Sequence, residues 1–113
     1  MPQKKIYEND EVIIWDYTLE PGERSGVHTH EKNYTFIVTQ ASELKELDGH
    51  GNYVEAPPLK KGDIFSYNIS EDNTTLLDMI GNSLSQPSTH EAVNIGDSTY
   101  KEILIEYKNQ VLC

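Results

Sequence analysis

Three histidines carry the clearest capacity for chemistry in this chain. His28 and His30 are separated by Thr29 and follow the turn Glu20-Pro21-Gly22-Glu23. His90 follows Pro87-Ser88-Thr89 and leads into Asn94-Ile95-Gly96-Asp97. On a β-strand, residues i and i+2 point to one face, so the imidazoles of His28 and His30, about 7 Å apart at Cα, can lean onto one metal ion. A third imidazole from a distant strand, His90, would complete a facial triad. The expected cofactor is therefore a divalent ion. Imidazole suits iron, zinc, nickel or copper, with manganese a further candidate, and the residue types alone do not choose among them.

The elements that must position these residues read as strands. Nearly every segment is short and bounded by turn residues, the pattern of an all-β chain. Glu11 to Leu19 reads as a strand with Ile13, Trp15, Tyr17 and Leu19 on one face. Arg24 to His30 reads as the next, with Arg24, Gly26, His28 and His30 sharing a face. Tyr34 to Gln40, Ser42 to Leu47, Tyr53 to Ala56, Ile64 to Ile69, Thr74 to Ile80, His90 to Ile95 and Tyr100 to Tyr107 complete the set. Residues 48–52 form a hairpin tip, 60–63 and 70–73 are turns, and 81–89 read as a loop rich in Gly, Asn, Ser and Pro. Many short strands at this spacing predict a sandwich or a barrel. The histidines favour a jelly-roll barrel, whose mouth can gather them, whereas a sandwich would leave three imidazoles needing unrelated partners.

A chain of 113 residues has room for one core, so residues 1–113 read as a single domain. Only 36% of residues are hydrophobic, and a closed barrel tolerates this because half of each strand faces outward. The formal net charge of −10 repels phosphate backbones, which argues against nucleic acid and anionic membranes as partners. No apolar run approaches the roughly 20 residues of a membrane span, and Met1 to Glu8 lacks the apolar stretch of a signal peptide. The single cysteine, Cys113, has no internal disulfide partner. These features lead us to expect a cytoplasmic protein. The apolar face of Ile13, Trp15, Tyr17 and Leu19, together with exposed strand edges, needs cover and predicts a homodimer.

The chain resembles the cupin superfamily. Gly22, five residues, then His28-Thr29-His30, then three residues and Tyr34 follow the first cupin motif, with Tyr34 where that motif carries a glutamate ligand. His90, three residues, then Asn94, with Gly96-Asp97 turning into a last strand, follow the end of the second motif. Motif two is stretched, since Gly62 stands 28 positions before His90, and an extra hairpin from Ile64 to Ile80 or a lid is expected there. The resemblance runs from about Asp10 to Tyr107 and implies a double-stranded β-helix barrel. It also implies metal ligation by His28, His30 and His90.

Loss of the glutamate leaves three neutral ligands, so a divalent centre stays near +2 and favours an anionic or enolisable small molecule. A His-only triad is similar to that of cupin dioxygenases acting on thiols or β-diketones. The leading expectation is therefore an Fe(II)-type oxygenase acting on a small organic acid or carbonyl compound. Tyr34 is expected to donate a hydrogen bond to bound substrate, because a phenol binds metal poorly at its ordinary pKa. Arg24, if inward, would clamp a carboxylate. The alternatives are a non-catalytic small-ligand-binding or sensing protein, and a metal-dependent isomerase or lyase. The last is disfavoured by the lack of an evident carboxylate base beside the triad. Asn94 and Gly96 read as structural, and His50, between two glycines, as solvated.

Overall fold

The computed structural model describes residues 3–56, 58–79 and 86–108. It contains β1 (Gln3–Glu8), β2 (Val12–Leu19), β3 (His28–Thr29), β4 (Tyr34–Gln40), β5 (Leu44–Asp48) and β6 (Tyr53–Val54). These are followed by β7 (Ile64–Ile69), β8 (Thr75–Asp78), β9 (Gln86–Pro87), β10 (Thr89–Asn94) and β11 (Tyr100–Tyr107). Seven strands form one antiparallel sheet in the order β1-β2-β11-β4-β7-β8-β9, and four form a second in the order β3-β10-β5-β6. The expected all-β jelly roll is what the chain adopts. No helix among the described residues is long and apolar enough to cross a membrane.

The core lies between the sheets, and strand parity builds it. Tyr17 and Leu19 of β2, Tyr34 and Val38 of β4, Phe65 and Tyr67 of β7, and Tyr100 and Leu104 of β11 are all buried. Each pair sits at alternate or every-fourth positions, so one face of each strand turns inward. Tyr17 and Leu19 of the β2 face are thus buried in the chain's own core, while Ile13 and Trp15 stay half-buried. At the N-terminal side there is one strand more than expected, and one expected strand is corrected. Gln3–Glu8 is a strand, paired with β2. The strand expected from Arg24 to His30 shrinks to His28–Thr29, because Gly26 takes a φ of +82°, outside the range of a strand. Upstream of it only Arg24 keeps an isolated bridge, to Val93.

Between Gly62 and His90 the expected extra hairpin is present among the described residues. β7 and β8 form a hairpin inside the larger sheet, and Gln86–Pro87, expected as loop, pairs with β8. Cys113 and most of the expected 81–89 loop lie outside the described residues.

Asn94 fastens the two sheets together. It is fully buried, its Nδ2 donates to the carbonyls of Leu19 (2.9 Å) and Ser98 (2.8 Å), and its Oδ1 accepts from Ser42 Oγ (2.8 Å) and the Gly96 amide (3.0 Å). Gly96 is forced by close approach, since a Cβ there would run into Ser42 Oγ and lie 2.9 Å from the Glu43 amide nitrogen. Asn94→Ala would leave four polar groups without this partner, three of them on the backbone of β2 and the 96–98 turn. It should cost about 2–4 kcal/mol in denaturant unfolding, measured against wild type. Gly96→Ala should destabilise through the steric clash even though alanine is otherwise at home in most backbones.

Candidate metal centre

The two histidine segments are brought together because they pair with each other. The Gly22 amide donates to the Asn94 carbonyl at 2.8 Å, the Ser25 amide to the Ala92 carbonyl at 2.8 Å, and the His30 amide to the Ser88 carbonyl at 2.9 Å. In between, His28 stands directly opposite His90 and Thr29 opposite Thr89. From Gly22 to His28 is six positions, while from Asn94 to His90 is four. The surplus is taken up in the irregular backbone around Gly26. The Ser25 hydroxyl, which accepts from the Ala92 amide at 2.9 Å, keeps that stretch bound to β10. The glycine of the first motif and the asparagine of the second thus set the register that places His28 beside His90.

The imidazoles of His28, His30 and His90 converge. Their candidate ligand nitrogens all lie within 4.8 Å of one another. Ring centroids are 4.7 Å apart for His28 and His90, and 4.9 Å for His30 with either of the other two. His28 Nδ1 donates to the Gly26 carbonyl at 2.9 Å, and His90 Nδ1 to the Pro87 carbonyl at 2.9 Å. With Nδ1 as donor in the neutral ring, Nε2 of each presents a lone pair. His30 Nε2 stands 3.1 Å from His90 Nε2. At a metal–nitrogen distance of about 2.0–2.1 Å, two ligand nitrogens at a right angle lie about 3.0 Å apart. The donor set and spacing fit a divalent ion.

Burial keeps His30 and His90 neutral. It drives His30 down to about 2, helped by His90 and His28. It drives His90 down to about 4, with His28 adding and the Pro87 carbonyl opposing. Near neutral pH a cation would therefore not compete with protons for these two lone pairs.

Tyr34 adjoins the centre through its ring. It stacks on His30 with centroids 4.3 Å apart and planes 19° apart, and it packs against Tyr67 and Phe36. Burial holds its phenol far above the usual range, so it stays protonated and is a poor anionic ligand. Arg24 is placed elsewhere. Its Nε donates to Glu91 Oε1 at 2.7 Å, its Nη2 contacts the same oxygen, and its side chain is 61% exposed. Glu91 neighbours His90 in sequence and so faces away from the histidines. Arg24 therefore does not line the cavity, and the inward reading of it is corrected. The break at Gly26 removed the strand parity on which that reading stood. His50 sits on the exposed hairpin tip, as expected.

The histidines line a cavity of about 520 Å³ together with Tyr17, Phe36, Leu104, the exposed Glu43 and two further carboxyl groups, Glu46 and Glu102. No Lys or Arg appears among its described lining residues. The two glutamates were missed in the sequence, though Glu102 shares parity with Tyr100 and Leu104, and Glu46 with Leu44. Burial pushes Glu46 up to about 7. It pushes Glu102 up to about 8, with the charge of Glu46 adding and the Tyr100 hydroxyl, 2.6 Å away, opposing. Both groups bind a proton more tightly folded than unfolded, so the stability they lend is complete below about pH 4.5 and is lost as pH rises through 7 and 8. Glu102→Gln keeps an acceptor for Tyr100 and cannot ionise. At pH 9 it should unfold at higher denaturant than wild type, by an amount on the order of a few kcal/mol, and the gap should close by pH 5.

No family model matches the chain, and no curated protein matches it significantly in sequence. Solved structures do match in fold. A cupin domain from Bordetella pertussis is 18% identical with a TM-score of 0.67, covering 95% of this chain and 92% of its own. A double-stranded β-helix domain protein from Klebsiella pneumoniae is 18% identical with a TM-score of 0.59, covering 93% and 74%. A sugar phosphate isomerase of the cupin superfamily from Silicibacter pomeroyi is 19% identical with a TM-score of 0.52; the match covers 88% of this chain but only 52% of that one. At these identities the likeness concerns architecture: the chain is a small protein with the double-stranded β-helix fold of the cupin superfamily.

Proposed function

We propose that this protein is a metal-dependent enzyme acting on a small carbonyl or hydroxy compound, with His28, His30 and His90 holding the ion. The observation that carries the reading is the convergence of three imidazoles, two with Nδ1 pinned to backbone carbonyls, on a cavity large enough for a small molecule. When bound, a divalent ion would supply Lewis-acid polarisation of a carbonyl oxygen and, if it is ferrous iron, oxygen chemistry as well. The chain's own residues do the rest. Tyr34 fixes the plane of His30 by stacking. Phe36, Leu104 and Tyr17 give the ligand an apolar bed that excludes water.

The lining also bears on ligand class. Arg24 is committed to Glu91, and the described lining offers no other guanidinium or ammonium group. A phosphate or a second carboxylate on the ligand would find no cationic side chain there. The favoured ligand is small and compact, carrying one chelating group for the histidine centre and an uncharged body. The His-only donor set supports oxygenase chemistry on such a compound. The two protonatable carboxyls of the cavity favour a second reading, proton transfer on a polarised carbonyl, as in an isomerase or lyase.

Metal analysis after chelation and reloading tests the centre. Wild type should retain about one divalent ion per chain, and His30→Ala and His90→Ala should lose most of it, with affinity falling on the order of 10- to 100-fold or more. Tyr34→Phe should keep the ion, because the ring and not the hydroxyl meets His30. Equal metal content in wild type and in a variant lacking all three histidines would remove the proposal. For the loaded protein, dioxygen uptake with acetylacetone as probe separates the oxygenase reading from the others.

A further inference from the structure

We infer that Glu46 is the proton-transfer residue of this cavity: its carboxylate takes the proton from a carbon next to a carbonyl in a compound lying at the His28, His30 and His90 centre. The inference rests on the metal-centre reading above and assigns it a reaction class.

Register places Glu46. β10 pairs with β5 so that Ala92 stands opposite Glu46 and His90 opposite Asp48. Residues directly opposite share a face, so Glu46 shares the face of His90, one diagonal step away along the ladder. Such diagonal neighbours lie about 7–8 Å apart, within reach of a small molecule bound between them. Both line the same cavity. From the opposite sheet Glu102 of β11, Tyr17 of β2 and Tyr34 of β4 face it, and each senses its charge. Asp48, further along its own strand, lies at the solvated hairpin tip and accepts from the His50 and Asn52 amides at 2.8 and 3.0 Å.

Of the two cavity carboxyls whose proton affinity is raised, half-buried Glu46 is the one that no hydroxyl engages. Glu102 accepts the Tyr100 hydroxyl at 2.6 Å. Among the described residues, none donates a hydrogen bond to the Glu46 side chain. Its carboxyl, half-buried between Leu44 and Ala92, opens to the cavity and is available to a molecule bound there. Burial that leaves it near neutrality suits a group that must both accept and return a proton.

The step balances without a co-reactant. The C–H bond breaks, its electron pair enters the new carbon–carbon double bond, and the carbonyl π pair becomes the enolate oxygen lone pair. The proton resides on Glu46. Once the Glu46 carboxyl has traded that proton for a solvent hydrogen, delivery to the same carbon is hydrogen exchange; delivery to the neighbouring carbon of a hydroxyketone, with the matching shift of the hydroxyl proton, is isomerisation.

The test uses metal-loaded wild type and Glu46→Gln with hydroxyacetone in deuterium oxide, followed by proton NMR, with metal content measured on the same samples. Wild type should exchange the carbon-bound hydrogens at a rate that rises with pH through about 7. Glu46→Gln should hold the same metal and exchange on the order of 100-fold more slowly, without that pH dependence. Glu46→Leu, which fills the site with an apolar side chain, should lose exchange equally and melt higher than wild type at pH 8. Difference infrared spectra of metal-free wild type minus Glu46→Gln should show a protonated-carboxyl band that vanishes through about pH 7. Loaded wild type without exchange, or Glu46→Gln exchanging as fast as wild type, would overturn the assignment. Wild type that takes up no metal would overturn the centre itself along with it.

Discussion

Everything at this centre depends on one antiparallel pairing, that of residues 22–30 with β10. Its hydrogen bonds begin at the Gly22 amide on Asn94 and end at the His30 amide on Ser88. Because the two segments differ by two residues over the same span, the pairing could not be a plain ladder. Gly26, in a left-handed conformation, and the Ser25 hydroxyl absorb the difference. A shift of one residue would turn His28 away from His90. Asn94 closes the far end of the pairing by binding β2, the entry to β5 and the 96–98 turn at once. The structural residues of the two motifs and the candidate ligands are therefore one device: the former set the register, and the register makes the cluster.

The second constraint is electrostatic. The cavity gathers imidazoles, phenols and carboxyls, and six of them are moved toward their neutral forms. Burial lowers His30 and His90 and raises Tyr17, Tyr34, Glu46 and Glu102. A cavity of neutral groups, with no cationic side chain among its described lining, is a poor host for a highly charged ligand. It is a good host for a single divalent ion, whose charge would be the dominant one present. It also keeps a carboxyl poised to change state within the physiological range.

Much of this was legible in the sequence. The alternation in Trp15, Tyr17 and Leu19 and in Tyr100 to Tyr107 marks strands with one inward face, and the two histidine motifs mark the centre. What misled was extending strand parity through Gly26. That put Arg24 on the histidine face, whereas one glycine with positive φ turns it out to Glu91. The cover that Tyr17 and Leu19 find comes from strands far away in the chain. β1, with Ile6 and Tyr7 more than half exposed, carries little apolar pattern of its own and becomes a strand only by pairing with β2. Glu46 was hidden for a related reason: residues 42–47 are too short and polar to reveal which face turns inward until β10 fixes their register.

The most direct measurement is the position of a bound ion, read from anomalous scattering at the metal's absorption edge in crystals of the reloaded protein. The account predicts one strong peak per chain within coordination distance of Nε2 of His28, His30 and His90, with no side-chain oxygen of Tyr34, Glu46 or Glu102 bound to it. A peak ligated by either glutamate or by the tyrosine, or one remote from the three histidines, would contradict it.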